Sequence, residues 1–126
     1  MNYLIASHGI YAEGMANVAK RIIGNNNVYV VNAYLTEVSL QDLLGQVPLD
    51  KGEWIICTDI LGGSVNQEMM RNYCNERLHV IAGINVDCLL HLLQIENFDN
   101  LDQHIKDIVE NSKNRMVFVN DIINHE

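Results

Sequence analysis

The chain has few basic residues and no long apolar run. Its 126 residues include eight Lys and Arg against 16 Asp and Glu, which gives a net charge of −8. Nucleic acids and anionic membrane surfaces both attract basic faces, so we expect neither as a partner. No apolar run approaches the roughly 20 residues needed to cross a bilayer, so we expect no direct membrane insertion. The N-terminus has no basic segment followed by an apolar stretch, which argues against a signal peptide.

Cysteine is also scarce. Cys57, Cys74 and Cys88 contain no C-x-x-C pair among them, so neither a zinc site nor a redox motif is supported. We expect three free thiols, buried as small apolar side chains, which suits a reducing cytoplasm. A Walker-type loop with its Lys is missing too, and this argues against a nucleotide phosphate loop.

Apolar strands alternate with amphipathic helices along the chain. The pattern predicts strands at residues 2–6, 28–31, 54–58 and 78–82, and a last short strand from Met116 to Val119. Strands that alternate with helices run parallel and are joined by right-handed crossovers. We therefore expect one α/β domain over residues 1–126, a small doubly wound sheet of four parallel strands in the order 2-1-3-4.

The helices are predicted from apolar stripes and from residues that begin or end helices. The stripe of helix 1 comprises Ala12, Met15, Ala16, Ala19, Ile22 and Ile23. That of helix 2 comprises Leu40, Leu43, Leu44 and Val47. The predicted boundaries are Ser39 and Ser64 as N-caps, Gly24 with residues 25–27 as one end, and Pro48 as another. Two more helices are predicted at residues 86–93 and 101–111.

Two loops carry the residues with chemical potential. His8 follows strand 1 and Asp59 follows strand 3. In the order 2-1-3-4 these strands are neighbours, and ligands bind outside their carboxyl ends. A carboxylate that accepts a hydrogen bond from one imidazole nitrogen leaves the other nitrogen unprotonated. His8 is therefore predicted to be a nucleophile or a general base, oriented by Asp59.

Gly62, Gly63 and Ser64 open helix 3 beside this predicted pair. The start of a helix offers free backbone N–H groups to an anion, and glycine lets that anion approach closely. A His nucleophile that faces an anion cradle suggests phosphoryl transfer through a phosphohistidine. No metal or other cofactor is needed for that chemistry.

Other interpretations of the same residues stay open. His8 could be a polar surface residue, Asp59 could cap a turn, and Ser64 could serve only as an N-cap. A hydrolase would use Ser64 or Ser7 as nucleophile and His8 as base, although no G-x-S-x-G elbow is present. A non-catalytic sensor could bind a small anion in the same crevice. The remaining histidines are predicted to be structural or solvated: His79, His91, His104 and His125.

Three segments together resemble the IIA domain of the mannose/fructose/sorbose family of the bacterial phosphoenolpyruvate:sugar phosphotransferase system. They are Ile5-Ala6-Ser7-His8-Gly9, Thr58-Asp59-Ile60-Leu61-Gly62-Gly63-Ser64 and Ile81-Ala82-Gly83-Ile84-Asn85. They occur in the order and spacing of that family, and the resemblance covers nearly the whole chain.

The resemblance implies a cytoplasmic phosphoryl carrier. His8 matches the histidine that is phosphorylated on Nε2, Asp59 the carboxylate that holds Nδ1, and Gly63 and Ser64 the donors to the phosphoryl group. Phosphate would come from the phosphocarrier HPr and pass to a histidine of a separate IIB component. Members of the family form homodimers that exchange a C-terminal antiparallel edge strand, for which Met116 to Val119 is the candidate.

The chain departs from the family pattern within the second segment. Many members have Trp in the loop and Pro-Phe after the Ser, where this chain has Ile60-Leu61 and Val65-Asn66. The wall of the pocket is therefore expected to differ. The related IIA-like domain that serves dihydroxyacetone kinase, or a regulatory phosphohistidine sensor, is the alternative, because the first of these shares the fold and the histidine.

Overall fold

The computed structural model describes residues 1–24 and 27–124. Strands and helices alternate over most of this length, as the sequence predicts. The strands are β1 (Asn2–His8), β2 (Val28–Ala33), β3 (Trp54–Thr58) and β4 (Leu78–Ile81). The helices are α1 (Tyr11–Ile23), α2 (Leu40–Gly45), α3 (Ser64–Asn72), α4 (Val86–Leu93), α5 (Leu101–Lys113) and α6 (Val119–Asn124).

The four strands form one parallel sheet in the order β2-β1-β3-β4, which confirms the predicted order. β1 is central and lies between β2 and β3. The register pairs His8 with Ala33 and Ala6 with Thr58, so the carboxyl ends of these three strands reach the same edge of the sheet. This topology brings the segments that follow β1, β2 and β3 together.

The sheet is covered on both faces, which explains its continuous apolar strands. All five residues of β3 are buried. Successive side chains of a strand point to opposite faces, so Ile55 and Cys57 join one core cluster while Trp54 and Ile56 join the other. Helices α1, α4 and α5 contribute to the first cluster, and α2 and α3 to the second.

Helix α1 buries Ala12, Met15 and Ala19, as its stripe predicts, but Ile22 is 60% exposed. Ile22 is about 100° around the helix from Ile23 and lies at the edge of the stripe, so it does not reach the sheet. Gly24 ends the helix with a φ of 87°, as expected. Residues 25 and 26, the first two of the predicted Asn stop signal, lie outside the described residues.

Three further sequence expectations concern single side chains. Ser39 caps α2 as predicted, because its hydroxyl accepts the Asp42 amide at 3.0 Å. Val47 is buried as expected, although α2 already ends at Gly45. Cys57 and Cys88 are buried free thiols, whereas Cys74 is exposed, contrary to the prediction. Cys74 follows the last turn of α3 in a short connection to β4, outside both cores.

The structure differs from the prediction at the C-terminal end. Residues 116–118 lie in neither helix nor strand, and Val119 begins α6. A strand needs a neighbouring edge to take its backbone hydrogen bonds. Here Arg115 binds Asp87 on α4, so the segment leaves α5 beside α4. In the described part of the chain, no helix has the length and apolar character required to traverse a membrane.

Candidate active site

His8 is the last residue of β1, two residues beyond the predicted end of the strand. The strand is longer because β2 continues to Ala33, which pairs with His8. The chain then turns sharply: the Gly9 amide donates to the Ala33 carbonyl at 2.9 Å, and Gly9 has a φ of 57°. This exit leaves the His8 side chain 41% exposed at the edge of the sheet.

Asp59 follows β3 and binds His8 twice through one oxygen. Its Oδ2 accepts the His8 backbone amide and the Nδ1–H group, each at 2.8 Å. The carboxylate side chain is only 8% exposed. Burial tends to raise the pKa of Asp59, but the backbone and ring hydrogen bonds from His8 and the attraction of the imidazole outweigh it. The net effect holds the pKa of this carboxyl below its ordinary value.

This double contact fixes the chemistry of the imidazole. An ionised carboxylate can only accept, so in neutral His8 the proton lies on Nδ1 and the lone pair on Nε2. Nε2 faces the hydroxyl of Ser64, whose Oγ is 3.3 Å away. The predicted meeting of residues 8, 59 and 64 is therefore present, with Nε2 of the exposed His8 side chain facing Ser64.

Ser64 is not an N-cap. The N-cap of α3 is Gly63, which provides no side-chain cap, and Ser64 is the first helical residue. Its hydroxyl instead lies between His8 Nε2 and the Tyr34 hydroxyl, which is 2.7 Å away. The side-chain amide of Gln67, three residues further on, donates to the Gly62 carbonyl at 2.6 Å.

Of the two glycines of the predicted cradle, Gly63 lies beside the His8 ring. A Cβ on Gly63 would meet His8 Cε1 at an ordinary contact distance of 3.6 Å, but it would be only 3.3 Å from Ile60 atoms, so the loop is tight at this position. The amides of both glycines are used within the loop: Gly62 donates to Asn66 Oδ1 and Gly63 to the Ile60 carbonyl, both at 3.0 Å. Any anion beside His8 therefore meets the Ser64 hydroxyl and the first turn of α3.

Sequence reasoning missed the role of Asn66, which it treated only as a departure from a family pattern. Asn66 is 1% exposed. Its Oδ1 accepts the Gly62 amide, and its Nδ2 donates to Thr58 Oγ1 at 3.0 Å. The Thr58 hydroxyl donates in turn to the Ile81 carbonyl at 2.9 Å. This buried chain ties the loop at 59–63 to β3 and β4.

Sequence reasoning also missed Tyr34. It stands one residue beyond β2, and β2 is the strand beside β1, so the strand order itself could have indicated it. Its ring centroid is 5.1 Å from that of His8, and the planes are inclined at 43°. Around the crevice lie exposed apolar side chains, which include Ile10, Leu35, Ile60 and Leu61.

The remaining candidates are structural. Ser7 is fully buried, and its hydroxyl accepts the Ala12 amide at 2.7 Å, so it cannot serve as a nucleophile. In the third segment, Asn85 caps α4 and the Ile84 amide donates to the Thr58 carbonyl. No group of three His, Cys, Asp or Glu side chains in the described ranges could hold a metal ion.

The other histidines lie away from this crevice. His79 binds Glu53 through Nε2 at 2.7 Å and Asp102 through Nδ1 at 3.1 Å, as a structural residue would. His91 and His104 are exposed on helices. His125 lies outside the described residues.

Comparison with known proteins identifies a family model and several solved structures that resemble this chain. A family model described as the PTS system fructose IIA component, EIIA-man, matches residues 2–109. No curated protein matches the chain. A Klebsiella pneumoniae protein, provisionally described as a phosphoenolpyruvate-dependent sugar phosphotransferase system permease, is 30% identical with a TM-score of 0.85. That alignment covers 97% of this chain and 93% of the other.

Two further solved structures share the fold at lower identity. The Streptococcus pneumoniae PTS IIA protein associated with the fucose utilization operon is 22% identical, with a TM-score of 0.71 and coverage of 97% and 95%. The mannose/sorbose-specific IIA subunit of Enterococcus faecalis is also 22% identical, with a TM-score of 0.64 and coverage of 88% and 90%. On the family match and the Klebsiella relative, the chain belongs to the EIIA-man family of phosphotransferase system IIA components.

Proposed function

We propose that this protein is a cytoplasmic phosphoryl carrier that accepts phosphate from phospho-HPr on His8 and passes it to a separate IIB component. One observation carries the proposal: the carboxylate of Asp59 lies 2.8 Å from Nδ1 of the exposed His8 side chain, so the neutral ring carries its proton on Nδ1 and its lone pair on Nε2. Membership of a phosphotransferase system family supports the direction of transfer.

The chemical step needs no proton transfer at Nε2. The Nε2 lone pair of His8 attacks the phosphorus atom in line, an N–P bond forms, and the bond between phosphorus and the donor atom breaks. The electron pair of that bond leaves with the donor. His8 gains imidazolium character on attack, and the adjacent Asp59 carboxylate stabilises it. Transfer to the acceptor is the same step in reverse, with His8 as the leaving group.

The phosphoryl group would lie among the Ser64 hydroxyl and the first-turn amides of α3. These amides have no side-chain cap, and the positive end of the helix favours an anion. Gly63 contributes by the absence of a side chain, because a Cβ there would lie 3.3 Å from Ile60 and disturb the loop beside His8. Gly62 contributes through the turn that Asn66 holds.

The test is incubation with phosphoenolpyruvate and purified enzyme I and HPr. The intact mass of the protein is then measured and the modified residue is mapped. We expect the wild type to gain one phosphoryl group on His8 and His8→Ala to gain none. His91→Ala, which removes an exposed histidine on α4, is the matched control and should be phosphorylated normally. Passage of the label to a IIB protein would establish a carrier, whereas a stable phosphoprotein that no IIB discharges would indicate a sensor.

We also propose a homodimer that uses the C-terminal segment. Six apolar side chains there are at least half exposed: Met116, Val117, Phe118, Val119, Ile122 and Ile123. Contiguous exposed apolar surface of this kind marks an association site. Exchange of an antiparallel edge strand would require Val119 to leave α6 and residues 116–119 to pair with the second copy.

A hydrolase is a second candidate because of one geometric feature. Ser64 Oγ, His8 Nε2, His8 Nδ1 and Asp59 Oδ2 are connected in the order of a Ser-His-Asp triad, at 3.3 and 2.8 Å. A fluorophosphonate probe separates the two functions. Labelling of Ser64 with turnover of simple esters would favour hydrolysis, while an unlabelled Ser64 in a protein that is phosphorylated on His8 would favour the carrier.

A further inference from the structure

We propose that Tyr34 is a positioning residue for the phosphoryl site, whose hydroxyl directs the Ser64 hydrogen toward the group that His8 Nε2 carries. The inference rests on the proposed phosphoryl transfer and adds a residue to it. It begins from the contact between the Tyr34 and Ser64 hydroxyl oxygens, which are 2.7 Å apart.

The direction of this hydrogen bond follows from the groups around it. In the neutral ring that attacks phosphorus, Asp59 accepts the Nδ1 proton of His8, so Nε2 can only accept. The hydroxyl of Ser64 must therefore donate its single hydrogen to Nε2 across 3.3 Å. Tyr34 is then the donor and Ser64 the acceptor in their mutual contact. The resulting chain runs from Tyr34 through Ser64 and His8 to Asp59, and each bond sets the direction of the next.

Phosphorylation changes only the group that accepts the hydrogen of the Ser64 hydroxyl. Once Nε2 forms an N–P bond its lone pair is used, and a phosphoryl oxygen takes its place in front of the Ser64 hydroxyl. Because Tyr34 occupies a lone pair of Ser64 in both states, the serine hydrogen stays directed at the site. The donor is thus oriented before the phosphoryl group arrives, which is how fixed dipoles lower a barrier.

The backbone of Tyr34 indicates that the contact is more than an incidental surface bond. Tyr34 has a φ of 67°, a left-handed conformation that glycine and asparagine adopt readily and a bulky residue does not. The side chain is 54% exposed, so burial of the ring does not explain the choice of residue. Strained conformations of this kind cluster at functional sites.

The first experiment measures the rate of His8 phosphorylation from HPr in Tyr34→Phe and in Ser64→Ala, alone and combined. Tyr34→Phe keeps the ring and removes the hydroxyl, and we expect the rate to fall roughly threefold to tenfold, the worth of one neutral hydrogen bond. If Tyr34 acts through Ser64, the same change in the Ser64→Ala background has no further effect. Tyr29→Phe, on the strand β2 that precedes Tyr34, is the control. An equal loss in both backgrounds, or no loss in either, overturns the proposal.

A second measurement distinguishes positioning from a structural role. Tyr34→Gly removes the strain at φ 67°, so we expect its thermal unfolding midpoint to equal or exceed that of the wild type while the phosphorylation rate falls at least as far as in Tyr34→Phe. A structural role predicts the opposite: a lower midpoint with an unchanged rate. That result would overturn the proposal.

A third measurement separates failure of this inference from failure of the proposed function. Donation from Ser64 shifts the 15N resonance of unprotonated His8 Nε2, and this can be recorded without any phosphoryl donor. We expect the resonance to move in Tyr34→Phe and to stay in place in Tyr29→Phe. A wild-type protein that phospho-HPr does not phosphorylate would refute the proposed carrier function. In that case a moved resonance would still establish that Tyr34 orients Ser64 toward His8 Nε2, whereas an unmoved resonance would overturn that orientation whatever the outcome with HPr.

Discussion

At the residue scale, the site depends on one carboxylate oxygen. Asp59 Oδ2 takes both the amide and the ring proton of His8, so a single atom fixes the position of the strand end and the tautomer of the ring. The same two bonds stabilise the ionised form of the acid. The geometry of the site and the acid stability of the fold are therefore linked through Asp59.

We predict that Asp59→Asn flattens the low-pH limb of the stability profile. The folded pKa of Asp59 lies below its ordinary value, so its stabilising contribution is fully present above the unfolded pKa of about 4 and is lost as the pH falls through the folded pKa. Urea unfolding from pH 7 down to pH 2 should show wild type and variant converging in acid.

Asp50→Asn provides the control for the change in net charge, because Asp50 is exposed in the turn before β3. A difference between wild type and Asp59→Asn that stays constant from neutral to acid pH would contradict the link between His8 binding and acid stability.

At the element scale, the buried side chain of Asn66 holds the loop between β3 and α3 in place. This side chain joins the Gly62 amide to Thr58, and Thr58 to β4. A loop that must present Gly63 and Ser64 to His8 is thereby attached to the rigid sheet. A buried amide with both ends satisfied also costs stability when it is truncated, because its former partners lose their acceptor or donor.

We predict that Asn66→Ala lowers the free energy of unfolding by about 1–3 kcal/mol and slows phosphorylation of His8. Chemical denaturation and the HPr-dependent rate measure the two effects. Asn72→Ala is the matched control on the same helix: it is exposed, its amide binds Glu68, and it should change stability by less than about 0.5 kcal/mol. Equal stabilities for the two variants would refute the role assigned to Asn66.

At the scale of the whole molecule, the surface is divided between a crevice at one edge of the sheet and an apolar C-terminal segment. Met116 and Phe118 are 82% and 66% exposed, far more than apolar side chains of this size usually are. The net charge of −8 disfavours nonspecific association between copies of the chain. In the proposed homodimer, a specific contact between the two C-terminal segments would cover this surface.

We predict that Phe118→Glu converts a dimer into a monomer of 14.3 kDa in sedimentation velocity. A buried unpaired carboxylate in the interface costs more than the contact it replaces. Met70→Glu, on an exposed methionine of α3, should leave the dimer intact. A wild-type protein that is monomeric at every concentration tested would remove this proposal.

The sequence alone determined the alternation of strands and helices, the order 2-1-3-4, and the meeting of His8 with Asp59. The alternation follows from the local hydrophobic period, and the strand order is the one that small doubly wound sheets usually take. The meeting of His8 with Asp59 follows from that order. The tertiary structure decided the rest. It moved Ser64 from a cap to the ring of His8, exposed Ile22 and Cys74, placed Val119 in a helix, and revealed Asn66 and Tyr34. Each of these depends on which side chains of different elements face one another. Such contacts are decided by how the elements pack and cannot be read from any single stretch of the chain.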